Sequence, residues 1–515
     1  MLAAIPTAGV LGTTGQRIDV EVHVGPGLPG FSIVGLPDEA CRESRDRVRA
    51  AMLSSGLPWP QKRITVNLAP SGIRKSGIGL DLPLAVGMLV AAEMLPPSAV
   101  ESVGCIGELG LDGSIRPVPG VAPMVASMRA DDLRMVIVAR SSVTEARVGA
   151  GSTMVRATDD LRELVAILRG ESSWPILPVD EVVDERAGLP DLSDVRGQPW
   201  ARRGLEVAAA GGHHLLFVGP PGAGKTMLAE RLSGLLGPLS DEGAIEATMI
   251  HSAAGVRLPA GGLVRYPPFR APHHTSTAVA IIGGGTQNLR PGEISLAHRG
   301  VLFLDELGEF SPSVIDALRQ PLEDLQVRVS RARSSVTMPA DALVVAATNP
   351  CPCGGGRPGD CQCSEVGKAR YLRRLSGPLL DRFDLRVAVS RPGIDELMAV
   401  EGGETTAQVR ERVEGARRIA ADRGYLSARI PVGELDEWAP LSRSAQMLVR
   451  TELEQGRLSG RGLHRIRRVA RTLADLDNAG AEIGEEHLSL ALRLRVDVAA
   501  VSAGHLLVTS TRASA

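Results

Sequence analysis

The residues of this chain best suited to chemistry stand at the end of an apolar run. Leu215-Leu216-Phe217-Val218 breaks into Gly219-Pro220-Pro221-Gly222-Ala223-Gly224-Lys225-Thr226, a glycine-rich loop closed by Lys-Thr. Such a loop turns backbone amides inward around phosphate oxygens, and the N-terminus of a following helix adds partial positive charge. Lys225 is expected to reach the β- and γ-phosphates of ATP, and the Thr226 hydroxyl to ligate magnesium. The chain has 58 Gly but only four Lys (Lys62, Lys75, Lys225 and Lys368), so chance supplies about 0.005 matches to this pattern.

A second half of a nucleotide site is legible downstream. Val301-Leu302-Phe303-Leu304-Asp305-Glu306 is four apolar residues followed by two carboxylates, the layout of a buried strand that delivers acids at its C-terminal edge. Asp305 there would hold magnesium through water and Glu306 would polarise an attacking water. Ala342 to Asn349 is another apolar run with a polar end. Asn349 either hydrogen-bonds the γ-phosphate or the water, or caps the turn before Pro350. Arg382 lies between Asp381 and Asp384 and by itself reads as part of a surface ion-pair cluster.

Three further groups invite a ligand. Cys351, Cys353, Cys361 and Cys363 bring four soft ligands into one Gly- and Pro-rich loop, where tetrahedral zinc would supply the fixed centre that a small core cannot; reduced free thiols are the alternative. Cys41 and Cys105 stand alone and read as buried thiols. His273, His274 and His298 suit hydrogen bonding or packing better than a metal. Val327 to Arg333 alternates as a strand, putting Arg331 and Arg333 on the face of Val327 and Val329. With Arg270 and Arg290 these arginines either contact nucleic-acid backbones or are solvated charge.

The elements that position these groups follow from pattern and punctuation. The 515 residues allow about three domains, each with its own core. Aromatics are only 3%, so the cores must rely on Leu, Val, Ile and Ala; the net charge of −2 excludes a surface that is basic all over. Of 57 basic residues 53 are Arg, a bias that a GC-rich genome explains. Residues 1–170 alternate short strands with helices, 171–194 read as a Pro-containing acidic linker, 195–400 alternate strand and helix around the phosphate loop, and 401–515 are mainly helical. The longest apolar stretch, Leu82 to Ala92, is 11 residues between Asp81 and Glu93, and the first residues lack a basic region. No membrane span or signal peptide is expected, and six sparse cysteines favour a reducing cytoplasm.

The order of phosphate loop, acid pair, Asn-ended strand, Leu379-Leu380-Asp381-Arg382-Phe383-Asp384 and helical lid resembles an AAA+ ATPase. Asp305 lies 80 residues after Lys225, which leaves room for an insert. Tyr266-Pro267-Pro268-Phe269-Arg270-Ala271-Pro272-His273-His274-Thr275 and Gly292 to Gly300 are similar to the magnesium-chelatase branch, and within it to the YifB/ComM family, over essentially the whole chain. The resemblance implies an α/β fold: an AAA+ P-loop core with a parallel sheet, an α-helical lid, and an N-terminal α+β domain like that of Lon protease. It makes Arg382 an arginine finger acting on the ATP of a neighbouring subunit. Arg461 becomes the lid arginine called sensor 2, with Arg465 and Arg468 as rivals, and Val195 and Gly197 fall in the segment near adenine. The histidine segment and the Val327 hairpin would border the pore of a ring.

Residues 64–70 and 74–83 are similar to the proteolytic domain of Lon, which uses a Ser-Lys dyad. The serine position falls on Gly79 and the lysine position near Met124, so the resemblance implies an assembly domain without a nucleophile. The work it implies is that of a homo-oligomeric, hexameric motor on branched DNA, a branch-migration helicase in recombination or transformation. The alternative is a chaperone-like remodeller of a protein partner.

Overall fold

The computed structural model describes residues 1–71, 79–129, 133–177, 188–285, 289–331, 334–355, 361–375, 377–398 and 402–502. Lys75 and Ser76 of the Lon-like stretch, and Arg333 of the basic hairpin, lie outside them.

The N-terminal part is built on a four-stranded sheet in the order Leu2–Leu11, Thr14–Gly25, Arg63–Ala69, Gly30–Val34. Alternation of fully buried and more accessible residues along Arg63–Ala69 is the period-2 signature of a sheet with one face more deeply covered than the other. Helices Glu39–Ser54 and Asp81–Ala91 cover it. Asp81 is completely buried, and Arg47 meets it through two bonds of 2.7 and 3.0 Å. A three-stranded parallel sheet, Val103–Cys105, Met135–Ala139 and Met154–Thr158, completes this α+β unit. Met124 is buried in helix Val121–Met128, and a Cβ at Gly79 would touch Ile106 and Val118 at 3.5 Å. Both dyad positions are thus in apolar packing.

This unit sits on the next through helix Asp241–Ala254. Ser252 donates to Glu145 at 2.5 Å, and Glu145 also accepts from the amide of Val121 at 3.0 Å.

The centre is a five-stranded parallel sheet in the order Phe269–Arg270, Val301–Leu304, Leu343–Thr348, Leu215–Val218, Leu385–Ala388. The strands Leu215–Val218 and Val301–Leu304 are buried throughout, as continuous apolar runs are when helices cover both faces. The phosphate-loop strand therefore lies beside the Asn-ended strand, which in turn pairs with the acid strand. All three carboxyl ends meet at one edge, the ordinary place for a ligand in such a sheet.

Helices Thr406–Arg423, Arg443–Glu454, Gly460–Leu476 and Glu485–Arg493 follow. They share one apolar core with the sheet, Ile466, Val469 and Leu473 joining Leu215, Phe217 and Leu385. A buried ionic knot locks them: Asp475 accepts from Arg471 at 3.0 Å and from Arg423 at 3.1 Å. No helix among the described residues is long and apolar enough to cross a membrane.

His214, just before the phosphate-loop strand, gives the fold a pH dependence. Its Nδ1 accepts from the amide of Val344 at 3.1 Å, and burial pushes its pKa down to about 4. Its protonation is favoured in the unfolded chain, so its contribution is fully present above the unfolded value of about 6.5 and is lost as pH falls toward 4, at a cost approaching about 3 kcal/mol. The thermal midpoint is expected to fall over that window, and His214→Asn, which keeps an acceptor but not the titration, is expected to flatten the slope. An unchanged slope in that variant would assign the acid sensitivity elsewhere.

Candidate nucleotide site

Gly222 and Gly224 adopt φ of +74° and +85°, a left-handed backbone that side chains disfavour. The loop so formed leads into helix Lys225–Leu235. Lys225 is buried, and its ammonium donates to the carbonyls of Gly219 (2.6 Å) and Pro220 (3.0 Å) and to Asn349 Oδ1 (3.0 Å). Burial pulls its pKa down to about 8, against the opposing pull of Asp305 and Glu306. Thr226 Oγ1 donates to Asp305 Oδ2 at 2.7 Å. A cavity of about 370 Å³ is lined by residues 221–227, by Asp305 and Glu306, and by residues 347–349. Phosphate loop, acid pair and Asn349 therefore meet around one space, as their strand ends require.

Glu306 is held in an unusual posture. Its φ is +51°, and its amide donates to Asp305 Oδ1 at 2.9 Å. A left-handed glutamate is strained, and such strain clusters at functional positions. Its carboxylate meets His274 Nδ1 at 3.1 Å. No motif signals this contact, since two adjacent histidines by themselves suit packing, hydrogen bonding or a metal. Nothing in spacing says that a residue 32 positions upstream returns to the acid. His273 packs against His274 with ring centroids 4.1 Å apart and planes tilted by 33°, while His298 is buried elsewhere, accepting from the amide of Asp341 and bonding Glu246 at 3.1 Å. The three histidines do not converge.

Arg382 does not line the cavity. It is ion-paired with Glu323 of its own chain and donates to the carbonyl of Pro378 at 3.3 Å. Of the lid arginines, Arg465 is committed to Asp384 at 2.6 Å and Arg468 to the carbonyl of Ile430 at 2.7 Å. Arg461 is exposed at the start of helix Gly460–Leu476, with no hydrogen bond or ion pair among the described residues. Asp384 also meets His213 at 3.0 Å, and His213 meets Thr472 at 2.7 Å. Burial alone would raise the Asp384 pKa; the His213 hydrogen bond and the Arg465 charge outweigh it and hold it far below the usual range. The lid is thereby tied to the residue two beyond Arg382.

Val195 is buried in the core, and Gly197 lies against the Glu396 carboxylate; neither lines the cavity. Between Gly197 and the next helix, Gln198 reaches the carbonyls of Ala223 (3.3 Å) and Ser390, a brace for the phosphate loop that no motif signals. Arg270, for which backbone contact and solvated charge were both open, is ion-paired with Glu293 through bonds of 2.7 and 2.9 Å. In the hairpin Gln326–Arg331/Ser334–Pro339, Val327 is buried and Arg328 exposed. Arg290 is also exposed.

A P-loop strand inside a parallel sheet, with an acid-ended strand and an Asn-ended strand delivering their termini to the same edge, defines an AAA+ ATPase-type fold. Family models described as "Magnesium chelatase, subunit ChlI", "Subunit ChlI of Mg-chelatase" and "Magnesium chelatase, subunit ChlI C-terminal" match residues 191–397, 20–142 and 403–495. An uncharacterized protein of Mycobacterium tuberculosis is 45% identical over 91% of this chain and 94% of its own length. YifB of Escherichia coli is 43% identical over 96% and 97%, and the competence protein ComM of Haemophilus influenzae 41% over 96% and 98%. A shorter likeness, 28% identity over 30% of this chain, is to Lon protease 2 of Bacillus subtilis. The chain belongs to the YifB/ComM family of magnesium-chelatase-like AAA+ proteins.

Proposed function

We propose that this chain is the subunit of an ATP-hydrolysing ring motor, a hexamer, acting on branched DNA as a branch-migration helicase. The observation that carries the motor reading is the convergence of Lys225, Thr226, Asp305, Glu306 and Asn349 on one cavity while Arg382 stays outside it. The donor set suits a nucleoside triphosphate with magnesium: inward amides and a buried ammonium for phosphate, and a hydroxyl and a carboxylate 2.7 Å apart for a hard cation. Magnesium held there would supply neutralisation of phosphate charge during the transfer.

In this reading Lys225 exchanges its bonds to Gly219 and Pro220 for phosphate oxygens. Thr226 and Asp305 hold the cation, and Asn349 orients the terminal phosphate or the water. Glu306 takes the proton of that water; His274, beside it, positions the carboxylate before substrate engages. Arg382 leaves Glu323 to face a neighbour's site, and Arg461 closes from the lid. Val195 and Gly197 belong to the adenine side.

The DNA part of the reading is supported by the competence protein among the relatives and by the exposed Arg290 and Arg328. ATP turnover is expected to rise in the presence of four-way DNA junctions and to lose that stimulation steeply as salt is raised. Turnover indifferent to every DNA tested would remove this reading and favour the second, remodelling of a protein partner. That second reading is supported by the magnesium-chelatase models that match the chain.

A further inference from the structure

Two residues past Asn349 the chain enters a loop with little apolar content of its own. Cys351 and Cys353 stand at its start and Cys361 and Cys363 at its end, and all four are free thiols. Their sulfurs nevertheless converge. Cys351 Sγ lies 3.5 Å from both Cys353 Sγ and Cys361 Sγ, Cys353 Sγ lies 3.7 Å from Cys361 Sγ, and all four sulfurs fall within 4.8 Å of one another. A disulfide needs sulfurs about 2.05 Å apart, whereas four thiolates around zinc at about 2.3 Å form a tetrahedron with edges of about 3.8 Å. The spacing is that of ligands around a common centre. Among the described residues this is the one group of three or more such side chains within metal-binding distance.

The loop is attached to the nucleotide site at three points. Its first cysteine follows Asn349 and Pro350 directly. Gly354, at φ +78°, lies so close to the phosphate loop that a Cβ there would stand 2.6 Å from the Pro221 ring. Cys363 leads through the capping residue Ser364 into helix Glu365–Arg374, whose Tyr371 hydroxyl returns to Thr348 Oγ1 at 3.0 Å, one residue before Asn349. The four cysteines thus close a circuit, Thr348 to Cys363 to Tyr371 and back, that contains the asparagine bonded to Lys225.

We infer that Cys351, Cys353, Cys361 and Cys363 bind one zinc ion as a structural tetrathiolate, and that this centre positions Asn349 and the Pro221 side of the phosphate loop. The four thiols give up their protons as the metal binds, which leaves a complex of net charge −2 beside the nucleotide edge. The metal assignment stands independently of the proposed function; the positioning half rests on the reading of the cavity as an ATPase site.

The test uses the full-length chain purified under reducing conditions from zinc-supplemented medium. Elemental analysis is expected to give about one zinc per chain, falling below about a tenth in Cys353→Ser/Cys363→Ser. Reconstitution with cobalt(II) is expected to show the visible bands of a tetrahedral tetrathiolate. Absence of metal, iron in place of zinc, or cobalt spectra without thiolate character would overturn the assignment. For positioning, the double serine variant is expected to lower kcat about 10- to 100-fold with little change in KM, and to add almost nothing in an Asn349→Ala background. Additive losses, or full turnover in the metal-free variant, would overturn the positioning role. Zinc bound by a chain that turns over no ATP, with the positioning arm then lacking its substrate reaction, overturns the ATPase reading and the positioning half together while upholding the metal. A circular dichroism melt of the variant separates these outcomes from misfolding, and Lys225→Ala, expected to keep its zinc, is the matching control.

Discussion

Glu306→Gln is expected to bind ATP and magnesium normally and to hydrolyse ATP about 10²- to 10⁴-fold more slowly, the range over which a positioned general base contributes. The substitution preserves shape and replaces a carboxylate able to take the water's proton with an amide too weakly basic to do so. It leaves untouched the contacts that hold nucleotide, because Lys225 and Thr226 bond to Gly219, Pro220, Asn349 and Asp305 and not to Glu306. Its left-handed backbone and its amide bond to Asp305 do not depend on the carboxylate. Nucleotide affinity by fluorescence titration and single-turnover hydrolysis measure the two halves separately. Normal turnover would remove Glu306 from the chemistry, and lost binding would show that the carboxylate acts in assembling the site.

Arg382→Ala is expected to cost about 10³-fold or more in turnover, the order of magnitude that an arginine supplies to the transition state of phosphoryl transfer. The diagnostic result comes from mixing. In the proposed arrangement Arg382→Ala retains a complete phosphate loop and lacks the finger, whereas Lys225→Ala lacks the loop's lysine and retains the finger. Co-assembled in equal amounts, two inactive proteins are expected to regain activity, since about a quarter of the interfaces in a closed ring would pair a sound site with a sound finger. No recovery from a mixture shown to co-assemble would contradict action between subunits and leave Arg382 with its partner on the same chain, Glu323. The buried Arg382 Nε, without a hydrogen-bond partner among the described residues, fits a side chain whose working partner is elsewhere.

Much of the fold is legible in local patterns. The apolar run Leu215–Val218 is a strand, and the mainly helical stretch after residue 400 contains the helices Thr406–Arg423, Arg443–Glu454, Gly460–Leu476 and Glu485–Arg493. Thr405 and Gln408 form a capping box, and Gly424 closes that helix in the left-handed conformation, signals that are local and therefore legible. The histidine pair is the contrary case: two adjacent imidazoles have no preferred partner until the insert folds back onto the acid strand. Arg270 is another. In sequence it was one more basic residue near a pore segment, and only the approach of Glu293 commits its charge.

Sequence by itself therefore determined which groups this protein has at its disposal, namely a phosphate loop, two acids, an asparagine and four thiols, while leaving the roles of the asparagine and the thiols open. The tertiary structure alone decided which of them meet. Sheet order brings Lys225 to Asn349 across 124 residues and Thr226 to Asp305 across 79. Lid packing commits Arg465 to Asp384 and leaves Arg461 free of partners among the described residues. Contacts between residues so distant along the chain arise from the burial of apolar faces, which selects the arrangement of whole elements and carries their polar ends along with it.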